Sequence, residues 1–502
     1  MNKLFTRVAS AIICAAMLAV MMSSCADNEN DKPTVVDPKQ TEETPSDEPV
    51  FEEADYEGKT FTILSPMDDA PDFGDIYIDN EEHNGEPIND AVVDRNSMVE
   101  EKYKVDIVQR DEGTAQASIA SKAGTVDFEL VYDWGIRLVP HAVEGIYYDF
   151  LQMPCIDLSQ DYWAPSAHDD LTIGGKMLIT TNDISMNRIG YASFIAFNKN
   201  IFDQMQIEYP YGFVERNEWT VDKYYEILTQ CGQDNGDQIW DTEDRYGGSI
   251  DVGSIARWGG VTIDLYTKNE DGTYHLNGVP EKLIQIYNKY EKSFATNPSI
   301  CHLGWPDWIE GRDISMYDSQ FQAGRVISFA EDHLAMTGTS MSYIPEFSSM
   351  QSQFGVVPNP KLESSQAEYY HFIDGCAPMF CVPKQAADMD MVGIILEYMT
   401  YCSRQTLLPA YYEQTIKTKN MDDDRDNVML DIVRDSVHYS WTGLYYQALK
   451  NDKGDGWDPM GTILSDMLAG GQFASVYKRY SAAAEKSMND LYDQILELDV
   501  NK

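Results

Sequence analysis

Between Thr60 and Tyr132 the chain alternates two hydrophobic periodicities, and this alternation restricts the folds open to it more than any other feature. Thr60–Ser65 (TFTILS) is a short β-rich run followed by a turn-prone acidic loop, PMDDAPDFGD. Ile88, Val92, Val99 and Tyr103 then recur at spacings of four and seven, one apolar face of a helix. Lys104–Gln109 (KVDIVQ) is strand-like, residues 115–123 are helix-prone, and Asp127–Tyr132 (DFELVY) is strand-like again. Strands that alternate with helices are joined by crossovers, which predicts an α/β lobe with a largely parallel sheet. In such sheets ligands bind outside the carboxyl ends of the strands. The loops after Ser65 and after Tyr132 are therefore the expected binding loops, and the second reads Asp133-Trp134-Gly135.

Upstream of this region, Lys3 and Arg7 precede an apolar run from Val8 to Met22, then Ser23, Ser24 and Cys25. A basic head, a short apolar stretch and a small-residue exit describe a secretory signal peptide over residues 1–24. The run is about fifteen residues, short of the roughly twenty needed to cross a bilayer as a helix. The cysteine that follows resembles a lipobox, with Met22 where leucine is usual, so Cys25 is the expected lipidation site. Two acyl chains on one residue hold a protein stably at a membrane. Residues 25–55 are rich in Asp, Glu, Pro and Thr with little to bury, the composition of an extended tether.

About 450 residues remain, enough for two lobes with separate cores. The formal net charge is −46, which argues against nucleic acid or an anionic membrane surface as a partner, since both require positive fields. No later segment has eighteen consecutive apolar residues, so no further span is expected. Beyond Cys14 and Cys25, Cys155, Cys231, Cys301, Cys376, Cys381 and Cys402 are scattered, with no CxxC pair and no zinc-ligand spacing. Free thiols are expected. GxSxG, HExxH, phosphate-loop and dinucleotide fingerprints are all missing, so no cofactor is expected.

Five segments taken in order resemble one family: YEGKTFTIL (Tyr56–Leu64), NDAVVDRNSMVEEKYKVDI (Asn89–Ile107), the stretch Ala192–Leu228 with its EWTVDKYYEIL, the run Phe321–Thr400 with FQAGRVISF and FGVVPNPK, and LLPAYYEQTIKTK (Leu407–Lys419). Together they are similar to the family 1 extracellular solute-binding proteins of ABC importers, the maltose-binding-protein-like group. The resemblance implies an α/β, two-lobed periplasmic-binding-protein-like fold of type II, each lobe a sheet flanked by helices, with a cleft between. It implies residues 56–194 plus about 373–408 in lobe 1, and about 195–372 plus 409–502 in lobe 2. The chain would leave lobe 1 near Ile195, return near Asp374 and cross again near Pro409, with its C-terminal helices mainly on lobe 2. Phe473, Tyr477, Tyr480, Ala484, Leu491, Ile495 and Leu498 form one apolar stripe for that packing. The implied function is capture of a carbohydrate, an oligosaccharide, by a lipid-anchored monomer outside the cytoplasm, and its delivery to ABC permease subunits without catalysis. A lipid-anchored sugar sensor and a two-carboxylate glycoside hydrolase are the alternatives.

Sugar sites stack aromatic faces on pyranose rings and fix hydroxyls with few polar groups. Trp134 with Asp133 follows a strand at the expected cleft. Trp258 with Arg257 lies in a glycine-flanked loop (ARWGG), and Trp441 in HYSWTG. Asp332 follows ISFAE, and Asn187 and Arg188 precede the first crossing. Trp219 is expected to be structural, and Trp305 and Trp308 to cap a loop. Gln233–Asp244 overlays a calcium loop, with Asn235, Asp237 and Asp244 at ligand positions. Gln233 and Gln238 replace the first acid and the glycine, so a solvated acidic loop is the reading taken, with calcium the one cofactor entertained.

Overall fold

The computed structural model describes residues 49–66, 77–250, 254–260, 266–276 except 271, 281–301, 306–373 except 316, 318 and 319, 375–411, 423–439, 472–499 and scattered positions between 444 and 466. Residues 1–24 and Cys25, the expected lipidation site, lie outside the described residues. In chain order the strands are β1 (Lys59–Leu64), β2 (Val105–Arg110), β3 (Leu130–Trp134), β4 (Ser193–Asn198), β5 (Tyr246–Ser249), β6 (Tyr266–Lys268), β7 (Tyr274–Leu276), β8 (Ile300–Cys301), β9 (Leu334–Ser340), β10 (Phe354–Val357), β11 (His371–Ile373), β12 (Pro378–Cys381) and β13 (Val437–Tyr439). The helices that matter below are α1 (Pro87–Tyr103), α2 (Thr114–Ala123), α3 (Gly135–Ala142), α4 (Val221–Cys231), α5 (Gln320–Ala330), α6 (Met389–Tyr411), α7 (Asp424–Asp435) and α8 (Phe473–Glu497).

The alternation of strand and helix folds as its periodicity predicts. β1 pairs in parallel with β2 and β3, and β12 closes the first sheet antiparallel to β3, in the order β12-β3-β1-β2. Ile88, Val92, Val99 and Tyr103 turn inward from α1, which starts on Pro87 and stops at Lys104 in the left-handed conformation. Helix α6 lies across α1, and its Gly393 passes so close to Pro154 that a Cβ there would stand 1.9 Å from the Pro154 carbonyl oxygen.

A second sheet runs β10-β4-β9-β5-β8, with β4 antiparallel to β9 and β10 and with β5 parallel to β8 and β9. The chain passes into it at Ala192, which bridges Ile373, so that Ile195 is already inside β4. It returns through β11, which pairs in parallel with β13. Asp374 lies outside the described residues. Helix α6 carries the chain past Pro409 to Tyr411, and α7 then packs under β10, where Asp426 accepts the Val356 N–H at 2.9 Å; the segment joining them is outside the described residues. His371 ties these crossing strands together. Its Nε2 accepts the Asn359 N–H at 2.9 Å, and its Nδ1 lies 2.8 Å from Ser436 Oγ. With Nε2 accepting, Nδ1 carries the proton of a neutral ring.

The C-terminal helix α8 packs beside β7, where Tyr492 lies against Gly272 and Glu485 meets His275 Nδ1 at 3.4 Å, and it also reaches residues that surround the first sheet. Its Ile495 and Leu496 carbonyls accept from Lys176 Nζ at 3.0 and 2.9 Å, and Gln494 Nε2 donates to the Val143 carbonyl. The stripe itself forms, with Tyr477, Ala484, Leu491 and Ile495 buried. An apolar stripe states that a helix has a partner and leaves open which one.

Candidate binding site at the carboxyl edge of the first sheet

At the end of β3 the chain turns directly into α3, and Asp133 stands at that turn, 3% exposed. One carboxylate oxygen accepts the Thr114 N–H at 3.0 Å and its hydroxyl at 2.6 Å. The other accepts the Trp134 N–H at 2.7 Å and faces Arg137 Nη1 at 3.4 Å. An ionised carboxylate has about four acceptor positions, so Asp133 is saturated by its own protein. It pins the start of α2, where negative charge is favoured, and fixes the turn that carries Trp134. Gly113 is required there, since a Cβ would fall 2.9 Å from the Asp133 oxygen.

Trp134 is half-buried and packs on the core. The Arg137 guanidinium lies 4.3 Å from its ring centroid, cation–π contact. Behind it, the Gly135 and Ile136 N–H groups donate to the Ala377 and Gly375 carbonyls at 3.1 and 2.9 Å, which couples the turn to the returning crossover. A cavity of about 490 Å³ opens beside the turn, lined among others by Pro66, Glu112, Gly113, Thr114, Asp133 and Arg137 but not by Trp134, within the 300–1,000 Å³ range of small-molecule sites. Glu112 on its rim is held by Arg110 at 3.0 Å. Arg137, Thr114 and Pro66 were not picked out by the sequence reading. Arg137 could have been: it stands four residues after Asp133, in the first turn of the helix that follows the strand.

The other sequence candidates fall elsewhere. Trp258 is only 6% exposed and packs edge-on against Tyr224 with centroids 5.6 Å apart, so it offers no open face. Arg257 beside it is half-buried and donates to Ser254 Oγ at 3.2 Å. Asn187 is buried and donates to Tyr132 Oη at 2.6 Å, behind the sheet. Arg188 pairs with the fully buried Asp183, which Arg404 also approaches at 3.6 Å; both arginines brace the crossing. Asp332 precedes β9, at the end of the second sheet that β4 reaches with Asn198, away from the crossing at Ser193. Its carboxylate accepts from Asn198 Nδ2 at 2.5 Å and Ser352 Oγ at 2.8 Å. Trp441 and Trp305 lie outside the described residues, while Trp219 is buried, donating to the Pro358 carbonyl.

In the loop 233–244, Asn235 and Asp237 accept backbone N–H groups two residues ahead at 3.0 and 2.7 Å. Asp244 accepts from the Asn235 and Asp241 N–H groups. Among the described residues no group of three or more His, Cys, Asp or Glu is disposed to hold a metal ion, and no helix is long and apolar enough to cross a membrane.

No family model matches the chain, and no curated protein sequence does. Solved structures do match in fold. A periplasmic oligogalacturonide-binding protein from Yersinia enterocolitica aligns with 86% of this chain and 100% of its own, at 12% identity and a TM-score of 0.53. A cyclo/maltodextrin-binding protein complexed with maltotetraose covers 88% and 97%, at 13% identity and 0.50. A de novo designed cysteine esterase covers 87% and 100%, at 12% identity and 0.53. Identity this low carries the fold and not the activity. The chain thus has an α/β fold of sheets flanked by helices, the two-lobed architecture of periplasmic binding proteins.

Proposed function

We propose that the chain captures a carbohydrate, an oligosaccharide, at the carboxyl edge of the first sheet and hands it to an ABC importer permease without making or breaking a bond. The observation that carries this reading is the cavity lined by Asp133 and by Arg137, a planar set of donors that also lies over the neighbouring Trp134 ring, beside a carboxylate with no acceptor position to spare. A saturated Asp133 and an ion-paired Glu112 suit positioning better than the proton transfers a hydrolase needs. Solute would bind the first lobe and the second would close over it, driven by tighter binding to the closed form. The body would act as a monomer, without cofactor, outside the cytoplasm, tethered through residues 25–55 to lipidated Cys25. Lobe 1 would comprise 56–194 and about 373–408, and lobe 2 about 195–372 and 409–502.

A thermal-shift panel of oligosaccharides, peptides and polyamines tests the solute class. One or a few oligosaccharides are expected to raise the melting temperature, since ligand at about a hundred times Kd adds about 2.7 kcal/mol of stability. Shifts with peptides or polyamines and none with glycans would refute the carbohydrate reading.

A further inference from the structure

β6 and β7 pair antiparallel as a hairpin, and we propose that this hairpin is a latch between the two lobes: fastened to α8 it holds them together, and released it lets the cleft open. The proposal rests on the two-lobed architecture and not on the class of solute. Both roots of the hairpin belong to the layer of the second sheet. Before it, Trp258 packs edge-on against Tyr224 of α4. After it, Lys282 Nζ donates to the Gly259 carbonyl at 2.8 Å, Lys289 Nζ donates to Asp222 of α4 at 2.7 Å, and the Phe294 ring lies 4.9 Å from that of Tyr225. The tip lies elsewhere. Lys268 Nζ donates to the Thr172 carbonyl at 3.1 Å, and the chain after Thr172 runs on to Thr180, which bridges Phe380 of β12 in the first sheet. The hairpin thus starts from one sheet's layer and ends on the other's.

The two ends of this connection differ in character. On the first sheet's side α8 is bolted down. Lys176 donates to two of its last carbonyls, where the helix dipole also favours a cation. Gln494 donates to the Val143 carbonyl at 2.8 Å, and Gly174 comes so near that a Cβ would stand 3.2 Å from the Leu496 nitrogen. On the hairpin's side the polar contacts are made by exposed groups. His275 Nδ1 meets Glu485 at 3.4 Å, between side chains 57% and 39% exposed, and Lys268 reaches Thr172 at the surface. Exposed pairs of this kind contribute little and are screened by salt. The Tyr492 ring completes the seam against Gly272, whose φ of +84° suits glycine. The seam between hairpin and α8 is therefore the one that parts, while α8 stays with the first lobe. Such a latch sets how far the second lobe swings away, and so how readily a solute enters or leaves, without touching the solute.

Double electron–electron resonance tests this on the full chain without solute. Nitroxides at Ile119 on α2 and at Ile239 in the loop 233–244, both well exposed, report the separation of the lobes. They are attached through non-natural residues, so the native cysteines stay in place. His275→Asp sets a like charge against Glu485, and Lys268→Glu sets one against the Thr172 carbonyl, both at exposed positions. In this double variant the ratio of long to short separations is expected to rise about five-fold or more over wild type. Adding Glu485→Lys restores an opposite-charge pair across the seam and is expected to reverse about half of that rise or more. A distance distribution in the double variant superimposable on wild type overturns the latch, and so does a shift that Glu485→Lys leaves in place. Because the distances are read without ligand, the latch can fail while the carbohydrate reading stands, and a thermal-shift panel that refutes carbohydrate leaves this result unaffected.

Discussion

Acidification from pH 7 to pH 5 is expected to remove about 2 kcal/mol of stability through His371 alone. Burial, reinforced by the nearby His438, pushes this imidazole from its usual 6.5 down to about 3, against the opposing effect of the hydrogen bond the ring donates to the Ser436 backbone. Between those values the unfolded chain binds the proton and the folded one does not, so stability falls as pH drops through 6.5. The charged ring could no longer accept the Asn359 N–H, and the crossing strands would lose their tie. Asp170 acts in the opposite sense. Burial raises its carboxyl to about 6, against the lowering effect of the Tyr439 N–H, so the folded state binds its proton more readily and stability rises as pH falls through 6. Urea titrations at pH 7, 6 and 5 separate the two. Asp170→Asn should lose stability in acid more steeply than wild type, and His371→Asn less steeply. Parallel pH profiles for wild type and His371→Asn would show that the imidazole is not the buried neutral group described here.

Gly247→Ala is expected to cost about 3 kcal/mol or more, enough to deplete soluble protein, because overpacking against backbone cannot be relieved by a rotamer change. A Cβ on Gly247 would stand 1.8 Å from the Leu228 carbonyl oxygen and 2.7 Å from its Cα, where α4 crosses β5. Gly393→Ala is the control in the other sheet's shell. Alanine gains up to about 1 kcal/mol over glycine in a helix interior, yet the overlap with the Pro154 carbonyl at 1.9 Å should outweigh it. Thermal unfolding of both variants checks the claim, and a melting temperature within a degree or two of wild type would mean that these backbones separate more readily than their packing suggests.

The first sheet and the turn that carries Asp133 and Trp134 were legible because the signals are local. Helix faces repeat within a few residues, and the rule that ligands lie at strand carboxyl ends turned that order into a position for Asp133 and Trp134. What Asp133 does there was not legible, since its main partner, Thr114, is 19 residues away. Trp258 was misplaced for a related reason. Its flanking glycines suggested an open loop, but Gly260 has φ +68° and lies where a Cβ would meet the Tyr370 ring at 2.6 Å; the glycines mark close packing. Asp332 was singled out for its place after ISFAE, but that segment is the end of α5, and Asp332 leads into β9 at the end of the sheet away from the crossing. The partner of α8 depends on contacts across more than 300 positions, such as Lys176 with Ile495, which no local pattern carries.

A carbohydrate is proposed to be held at the carboxyl edge of the first sheet, in the cavity lined by Asp133 and Arg137 and against the neighbouring Trp134. Calorimetric titration of the protein and of Trp134→Ala with the oligosaccharide that gives the largest thermal shift tests it most directly. The expected result is saturable 1:1 binding to the wild-type protein and affinity lower by about ten-fold or more in Trp134→Ala, the loss of one stacking contact and its burial, with the variant still folded. Equal affinity in the two proteins would contradict it.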